Sequence, residues 1–552
     1  MRLCFSTRGN EGIAATPRPN FDAGAVWVCL AGLWSFGFWI LGVAVPIGSI
    51  LAEGGEYLKW GQLFDPVVMA VLAATLKQVF WSTFFAGGLG LILGLMLGQV
   101  ARASQSSRFL FVFSLPMVVP TVVAGLGWLI WMGRSGLLTR LGVHFDWAYR
   151  FEAVILAHAF YNIPWVTLGV AQARRSVPED QLDALSTLGA DRWSVWQYGI
   201  WPQVRWAWGT ACAQVMGFCT VSFALVLVLG GGPPVQTLET EVFSRLRSGG
   251  VDWSGALACA LWEFVLTLVP WFLVLFFQTR EQIQLSQKAV AREPQGDARV
   301  SVGGSWVILC LGLFFLLPYF GVYAVSWGAL PKLLQSSEIA RAFQFSFSLA
   351  IWTSTLTILT TLAALIFLFH SKISAQTRGI LGFLFALPSG VSVIVLGLGV
   401  GIAYGRWIDP FEGSPAAMIL LQMTLFSPLS MRTLWPVASC PDLRSIEVAG
   451  SLGASPFSAW WVVEWPRWRG PLIVAWGTVF GAVLGEVGAV SLFASEKWVT
   501  LPGLISQSML HYRFDDAQVL AGLLLALSLL STLGAVAWGR RMERNSGATP
   551  GW

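Results

Sequence analysis

Long apolar runs alternate with short polar segments along almost the whole chain. Runs of about 20 apolar residues are long enough to cross a hydrocarbon core of about 30 Å as helices. The runs fall into two sets of six, near residues 25–51, 67–98, 109–132, 152–173, 207–229 and 255–278, and near 305–328, 345–369, 379–404, 414–436, 471–493 and 518–538. This pattern predicts an all-α membrane protein of about 12 transmembrane helices.

The composition supports this class and excludes others. The 552 residues are 55% hydrophobic and 11% charged, whereas soluble chains are about 25% charged. The net charge of +5 is not concentrated in a basic patch interleaved with aromatic residues, so we expect no nucleic-acid partner. The seven cysteines have no metal-binding or redox spacing, and we predict no metal site. Residues 1–24 are polar, and no cleavable signal peptide is expected.

Two of the polar segments repeat each other. Residues 183–202 and 447–466 align without a gap at an offset of 264 residues, and both contain Leu-Gly-Ala and end in Trp-Pro. Further upstream, Phe-Ser-Leu-Pro at 113–116 resembles Phe-Ala-Leu-Pro at 385–388, at an offset of 272. Each half keeps six predicted spans and therefore the same orientation. The chain is thus predicted to fold as two parallel six-helix repeats that enclose a central path.

The distribution of basic residues predicts the orientation. With the N-terminus in the cytoplasm, about 22 Lys and Arg residues fall in cytoplasmic segments and about 12 in external ones. Both repeated segments and both termini then face the cytoplasm. So does the long polar stretch 279–304, which we interpret as a linker between a first half, 1–278, and a second half, 305–552.

Each repeated segment has the signals of two short helices outside the membrane. A proline followed by acidic residues begins the first helix. Gly189 in the first copy and Gly453 in the second are placed to end it. A tryptophan-rich second helix follows, and we expect the Trp-Pro pair to close it, since proline interrupts the hydrogen-bond ladder.

The spacing of an acid, alanine, glycine and, thirteen residues later, proline resembles the EAA loop of ATP-binding-cassette (ABC) importer permeases. The resemblance implies the type I permease fold and makes 179–202 and 443–466 coupling loops that dock on ATPase subunits. The matching positions are Asp183, Ala184, Gly189, Ala190 and Pro202 in the first copy, and Glu447, Ala449, Gly453, Ala454 and Pro466 in the second. The departures are Asp183 for Glu, Leu185 and Val448 for alanines, and Trp before each proline, which preserve the acid, the bend and the proline.

The chain contains no GxxxxGK[ST] phosphate-binding loop. We therefore expect no catalytic residues and no cofactor in this chain, with ATP and Mg²⁺ bound by a separate ATPase. The resemblance implies two copies of a cytoplasmic ABC ATPase, an extracytoplasmic solute-binding protein, a small-molecule substrate, and a lipid environment in a bacterial inner membrane.

Two permease halves in one chain resemble the ferric-iron and thiamine branches of these importers. The stretches 222–233 and 485–502 are most similar to the thiamine branch, which implies transport of thiamine or its phosphates. A ferric-iron or polyamine permease is the alternative, and an ATP-independent secondary transporter is a further one. An intramembrane enzyme has no metal cluster or nucleophile constellation to support it.

Glu486 lies inside the eleventh predicted span, and its counterpart at the 264 offset is Ser222. A charged side chain at membrane depth costs about 2.5–3.5 kcal/mol on insertion scales and usually faces a cavity. We interpret these two residues as part of the substrate path, with Glu486 attracting a cationic thiazolium. The alternative is a structural acid bonded to a neighbouring helix, or a gate residue.

Other polar residues in the spans are interpreted as structural. His158 and Asn162 lie one turn apart in the fourth span, and we predict that they form interhelical hydrogen bonds without counterparts in the second half. Glu263 is predicted to be interfacial, near the start of the sixth span.

Overall fold

In a computed structural model of the chain, the structure describes residues 22–545 except 101–112, 135, 145–148, 231, 233–234, 248–251, 289–301, 324–326, 332–334, 372, 408–412, 496 and 512. Half of the predicted linker 279–304 and the polar N-terminal segment therefore lie outside the described residues. Within them, every long element is a helix.

Spans 1 to 6 form the first half. In chain order they are Asp22–Trp39 continued by the π turn Ile40–Ala44 and Val45–Tyr57; Pro66–Val100; Thr121–Met132; Phe151–Arg175; Trp201–Thr220 with Ala224–Gly230; and Trp253–Lys288. Short helices Leu137–Arg140, Glu179–Thr187, Arg192–Ser194 and Leu238–Arg247 connect them.

Spans 7 to 12 form the second half. They are Val302–Gly321; Ser337–His370; Ala375–Ala386 with Val393–Tyr404; Pro415–Ser439; Trp465–Leu484 with Gly488–Phe493; and Phe514–Asn545. The connecting helices are Leu443–Ser451, Pro456–Ala459 and Leu501–Leu510.

Each of the twelve predicted apolar runs overlaps one of these spans. Seven helices of the described chain are long and apolar enough to cross a membrane, or eight with the two parts of span 5, which meet at an angle of 59°. The remaining predicted spans are shorter or interrupted, except span 10, which is a continuous helix of 25 residues but less apolar than the seven. The apolar runs continue through the interruptions, so the hydropathy pattern predicted the positions of the spans and not their breaks.

The first span of each half packs on the other half. Span 1 contacts spans 8 and 9, and span 7 contacts span 3. A Cβ atom added at Gly127 in span 3 would lie 2.5 Å from the Pro318 carbonyl oxygen of span 7, and one at Gly399 in span 9 would lie 2.5 Å from the Pro46 carbonyl oxygen of span 1. Only glycine permits these two approaches. The paired contacts have the same geometry, as expected for parallel repeats related by a pseudo-two-fold axis.

Buried apolar side chains show where the halves join. The largest cluster draws on both halves, including Val154 of span 4 and Val395 of span 9. Two smaller clusters, one around Val166 and one around Leu434, lie mainly in one half each. Val154 is near the start of span 4, and Val166 is closer to the end that leads into the repeated segment. The halves therefore share a core on the side away from the repeated segments and separate toward them.

Candidate coupling loops and translocation path

The two repeated segments, which we call the coupling loops, turn in the same way. The helices Glu179–Thr187 and Leu443–Ser451 are followed by Gly189 and Gly453 with φ of +80° and +85°. Just beyond each glycine, the amide of Ala190 donates to the Leu185 carbonyl and that of Ala454 to the Ala449 carbonyl, both at 3.0 Å. In each loop the glycine amide also donates three residues back, Gly189 to the Ser186 carbonyl and Gly453 to the Gly450 carbonyl, both at 3.0 Å. These two bonds and a left-handed glycine define a Schellman motif in each loop. The predicted glycine bend is confirmed in both copies.

The helix after each bend is capped by a side chain at the same position. Asp191 accepts a hydrogen bond from the Ser194 amide at 3.1 Å, and Ser455 accepts one from the Ser458 amide at 3.2 Å. The Ser194 hydroxyl and amide both donate to Asp191, and these bonds lower the pKa of its carboxyl. The Asp191 cap is therefore charged at any physiological pH, whereas the Ser455 cap is neutral.

The turn of each coupling loop presents an apolar tip beside an acid. Leu188 is 83% exposed and its counterpart Leu452 is 82% exposed. The acids Asp183 and Glu447 are also exposed. Of the other predicted positions, Ala184 is exposed, whereas Ala190, Ala449, Ala454, Pro202 and Pro466 are half-buried. Leucines this exposed, in a segment that also exposes a carboxylate, form a surface suited to a protein partner.

The prediction that Trp-Pro closes the second short helix is wrong. The π turns Val195–Ile200 and Trp460–Glu464 run directly into spans 5 and 11, and Pro202 and Pro466 stand in the first turn of those spans. Proline is tolerated at the first turn, where its missing amide is not needed. Each coupling loop is therefore continuous with a membrane span, so a displacement of the loop is transmitted to it.

The second coupling loop is held by a charged contact that the first lacks. The buried carboxylate of Glu464 accepts from the Asp442 amide and from Arg467 Nη1, each at 2.9 Å. Asp442 in turn caps the helix Leu443–Ser451 through the Ser445 amide, at 3.2 Å. At the 264 offset the first loop has Ile200 in place of Glu464 and Gln203 in place of Arg467.

Spans 5 and 11 are both broken at the predicted path residues. Ser222 lies between Thr220 and Ala224, and Glu486 lies between Leu484 and Gly488. Both side chains are partly exposed. Broken helices at membrane depth occur where the backbone is buried in protein or lines a cavity. Both residues therefore lie at backbone breaks, and their place on a substrate path stays a prediction.

Each break lies close to a polar side chain of the preceding span. His158 Nε2 is 2.7 Å from Ser222 Oγ, which confirms the predicted interhelical bond of His158. Asn162 Nδ2 lies 3.7 Å from Cys219 Sγ, also between spans 4 and 5. At the 264 offset the second half has Gln422 in place of His158 and Phe426 in place of Asn162, so neither residue is repeated, as predicted. Gln422 is close to Glu486, but its Oε1 accepts from the Thr353 hydroxyl at 3.4 Å and its Nε2 has no hydrogen-bond partner among the described residues. The second break therefore has no hydrogen bond equivalent to the one between His158 and Ser222.

Glu486 is also bonded within its own span. Both carboxylate oxygens lie 3.1 Å from the Ala489 amide, which donates to them at the start of Gly488–Phe493. Its neighbour Gly485 meets the other half, because a Cβ atom there would lie 2.7 Å from Pro120 Cβ. Glu486 is thus fixed in position at the junction of the halves while part of its side chain stays exposed.

Two further acids lie behind Glu486, and the sequence did not single out their arrangement. Glu239 and Glu263 are fully buried, and Glu239 interacts electrostatically with both Glu263 and Glu486. Ser392 Oγ of the second half donates to Glu239 Oε1 at 2.8 Å. The prediction that Glu263 is interfacial is wrong, because its side chain is fully buried within span 6, which packs against the helix Leu238–Arg247 and span 9. Among the described residues, no group of three or more His, Cys, Asp or Glu side chains is arranged to hold a metal ion.

Part of the first half matches a known protein family. The family model described as "binding-protein-dependent transport system inner membrane component" matches residues 90–286, which include the first coupling loop, Ser222 and Glu239. The second coupling loop lies outside that match and is related to the first by the internal repeat.

Similarity to individual proteins extends along most of the chain. The thiamine transport system permease protein ThiP of Haemophilus influenzae is 27% identical over 534 residues, which cover 92% of this chain and 95% of the relative. ThiP of Escherichia coli is 27% identical over 519 residues, covering 88% and 93%. The ferric transport system permease protein FbpB of Actinobacillus pleuropneumoniae is 23% identical over 507 residues, covering 87% and 72%. With two parallel repeats and two coupling loops, the chain is a multi-pass ABC importer permease with both permease halves in one polypeptide.

Proposed function

We propose that this permease imports thiamine or a thiamine phosphate, and that Glu486 receives the cationic ring. The observation that carries the role of Glu486 is its place at the break of span 11, partly exposed and fixed by the Ala489 amide. Glu239 and Glu263 add two carboxyl groups behind it. An apolar site that contains an exposed carboxylate favours an organic cation over a neutral solute. The choice of thiamine rests on the similarity of the chain to thiamine transport system permease proteins.

The proposed transport cycle uses both coupling loops. Two copies of a cytoplasmic ATPase, which bind ATP and Mg²⁺, dock on the exposed tips around Gly189 and Gly453, with the halves 1–278 and 305–552 contributing one loop each. An extracytoplasmic solute-binding protein delivers the substrate on the opposite side, and both termini are cytoplasmic. Because each loop is continuous with span 5 or span 11, closure of the ATPase pair moves the broken helices and switches access to the path.

The test is ATP-driven uptake of radiolabelled thiamine into proteoliposomes that contain the permease, its ATPase and its solute-binding protein. Glu486→Gln keeps an oxygen for the Ala489 amide and removes the charge, so we expect thiamine to be bound about tenfold more weakly while the ATPase still co-purifies. Ser222→Ala, at the equivalent position, is the matched control and should change affinity by less than about twofold. Unchanged transport kinetics in Glu486→Gln would contradict the role of the acid.

The ferric relative makes an iron importer the second candidate. The same proteoliposomes distinguish the two, since an iron importer takes up radiolabelled ferric iron and not thiamine. Uptake that persists without ATP would instead indicate a secondary transporter.

A further inference from the structure

An arginine–tryptophan contact links the two halves on the coupling-loop side of Glu486. The guanidinium carbon of Arg432, in span 10 of the second half, lies 5.5 Å from the ring centroid of Trp165, in span 4 of the first half. The equivalent positions at the 264 offset are Leu168 and Leu429. The contact therefore occurs once, and no copy related by the pseudo-two-fold axis accompanies it.

Arg432 is directed from span 10 at the opposite half. It is exposed and lies seven residues before the span ends at Ser439. Its contact with the opposite half also places it at the junction, where the shared core has ended and the halves separate.

Trp165 is held so that one face of its ring is available. Trp165 Nε1 donates to Gln214 Oε1 at 2.9 Å, and Phe218 packs against the indole edge to face, with the centroids 5.2 Å apart at 85°. Both partners belong to span 5, and Phe218 is four residues before Ser222. The indole is thereby oriented by its own half, and the guanidinium of the other half covers it.

The contact lies further along the same path as Glu486. Gln422, which is close to Glu486, and Arg432 are ten residues apart on span 10, which corresponds to about 15 Å along a helix axis. Trp165, which Arg432 contacts, therefore lies nearer to the coupling loops than Glu486 does. Tryptophan binds cations of guanidinium, ammonium and heteroaromatic type on its ring face.

We propose that Trp165 is a second binding station for the cationic ring of the substrate, and that the Arg432 guanidinium occupies this station between transport events. The inference rests on the proposed function. The arriving ring displaces the guanidinium from the indole, and the displaced positive charge then repels the ring toward the open, coupling-loop side. Because the Arg432 guanidinium competes for the Trp165 ring, the substrate binds weakly at this station. A translocation path requires binding that is weak enough for the substrate to leave.

The test is equilibrium binding of radiolabelled thiamine to the permease–ATPase complex in lipid nanodiscs. Arg432→Gln removes the competitor and should tighten binding about three- to tenfold while slowing ATP-driven uptake. Trp165→Leu should weaken binding about three- to tenfold, and Trp165→Phe by less. The double variant Arg432→Gln/Trp165→Leu should bind as weakly as Trp165→Leu. The control is Arg205→Gln, because Arg205 covers Trp206 at 4.6 Å within one half, and its loss should leave thiamine affinity unchanged.

Tighter thiamine binding in Arg432→Gln together with weaker binding in Trp165→Leu supports Trp165 as a binding station. A purely structural latch predicts shifts in the same direction with a loss of thermal stability, and that result, or unchanged affinity in Arg432→Gln, would overturn the proposal. A wild-type complex that binds no thiamine contradicts the proposed substrate instead. Access of water to Arg432 is then tested without a substrate. In a background lacking the seven native cysteines, Arg432→Cys must react with a membrane-impermeant maleimide added to the coupling-loop side, and failure to react overturns the proposal.

Discussion

The two coupling loops are nearly superimposable in their bonding, whereas the two broken spans they lead into are chemically different. Beyond the glycine, each loop closes the same backbone bond at 3.0 Å. At the breaks, His158 and Ser222 stand in one half where Gln422 and Glu486 stand in the other. The backbone geometry of the coupling loops is thus the same in both halves, whereas the side chains at the broken spans differ. That division is expected if both loops meet copies of one partner while the path meets one asymmetric solute.

A third region lies between these two extremes. The coupling loops have the same shape, yet the second is fixed to its span by Glu464 and Arg467, and the first has Ile200 and Gln203 at those positions. The same bend is therefore stabilised by an ion pair in one half and without it in the other. The backbone conformation of the coupling loop is therefore the same in both halves, although the side-chain contacts that stabilise it differ.

The glycine bends should give the largest effect. Gly453→Val places a β-branched residue at a φ of +85°, where each L-residue costs about 1–2 kcal/mol, and it redirects Leu452. We expect ATP-driven uptake to fall by about tenfold or more, and the combination with Gly189→Val to abolish it, with loss of the co-purifying ATPase.

The matched control for this variant lies three residues earlier. Gly450 is in the helix Leu443–Ser451, has no positive φ, and an added Cβ atom meets nothing within 4 Å. Gly450→Ala should therefore change uptake by less than about twofold. If Gly453→Val also transports normally and retains the ATPase, the two loops are not equivalent docking elements and the comparison between them fails.

The features that the sequence predicted are those with a local or repeated signal. Twelve apolar runs located the spans, and the 264-residue offset with Gly189 and Gly453 located both bends. Contacts between distant residues had no such signal. Nothing in the local sequence indicates that Ser392 reaches Glu239, or that Arg432 reaches Trp165. The π turns were missed because Trp-Pro has the same appearance at the end of a helix and at the start of the next.

Removing the ion pair of the second loop should have an intermediate effect. Glu464→Ala leaves Arg467 and the Asp442 amide without their acceptor, which destabilises by about 1–3 kcal/mol. We expect thermal unfolding of the complex to begin a few degrees lower and uptake to fall severalfold. Glu464→Ile/Arg467→Gln converts the second loop to the residues of the first and should recover much of the loss. A double variant as unstable as Glu464→Ala would show that the first loop depends on some other contact.

The helix caps after the bends should give the smallest effect and the finest comparison. Asp191→Ser copies Ser455 and should leave uptake within about twofold, because either oxygen accepts the amide three residues on. Asp191→Ala removes the acceptor and should speed hydrogen exchange at the Ser194 amide.

The pH dependence of the Asp191 cap gives a second measurement. The hydrogen bonds from Ser194 lower the pKa of Asp191, so the charged cap contributes stability above the usual pKa of the carboxyl. That stability is lost only as the pH falls through the lowered value. Exchange corrected for its intrinsic pH dependence should therefore be constant between about pH 6 and pH 8 in both loops. If protection of the Ser194 amide from exchange changes over this pH range while that of the Ser458 amide does not, another group titrates near Asp191. The two coupling loops would then differ at the surface where their backbone bonding is the same.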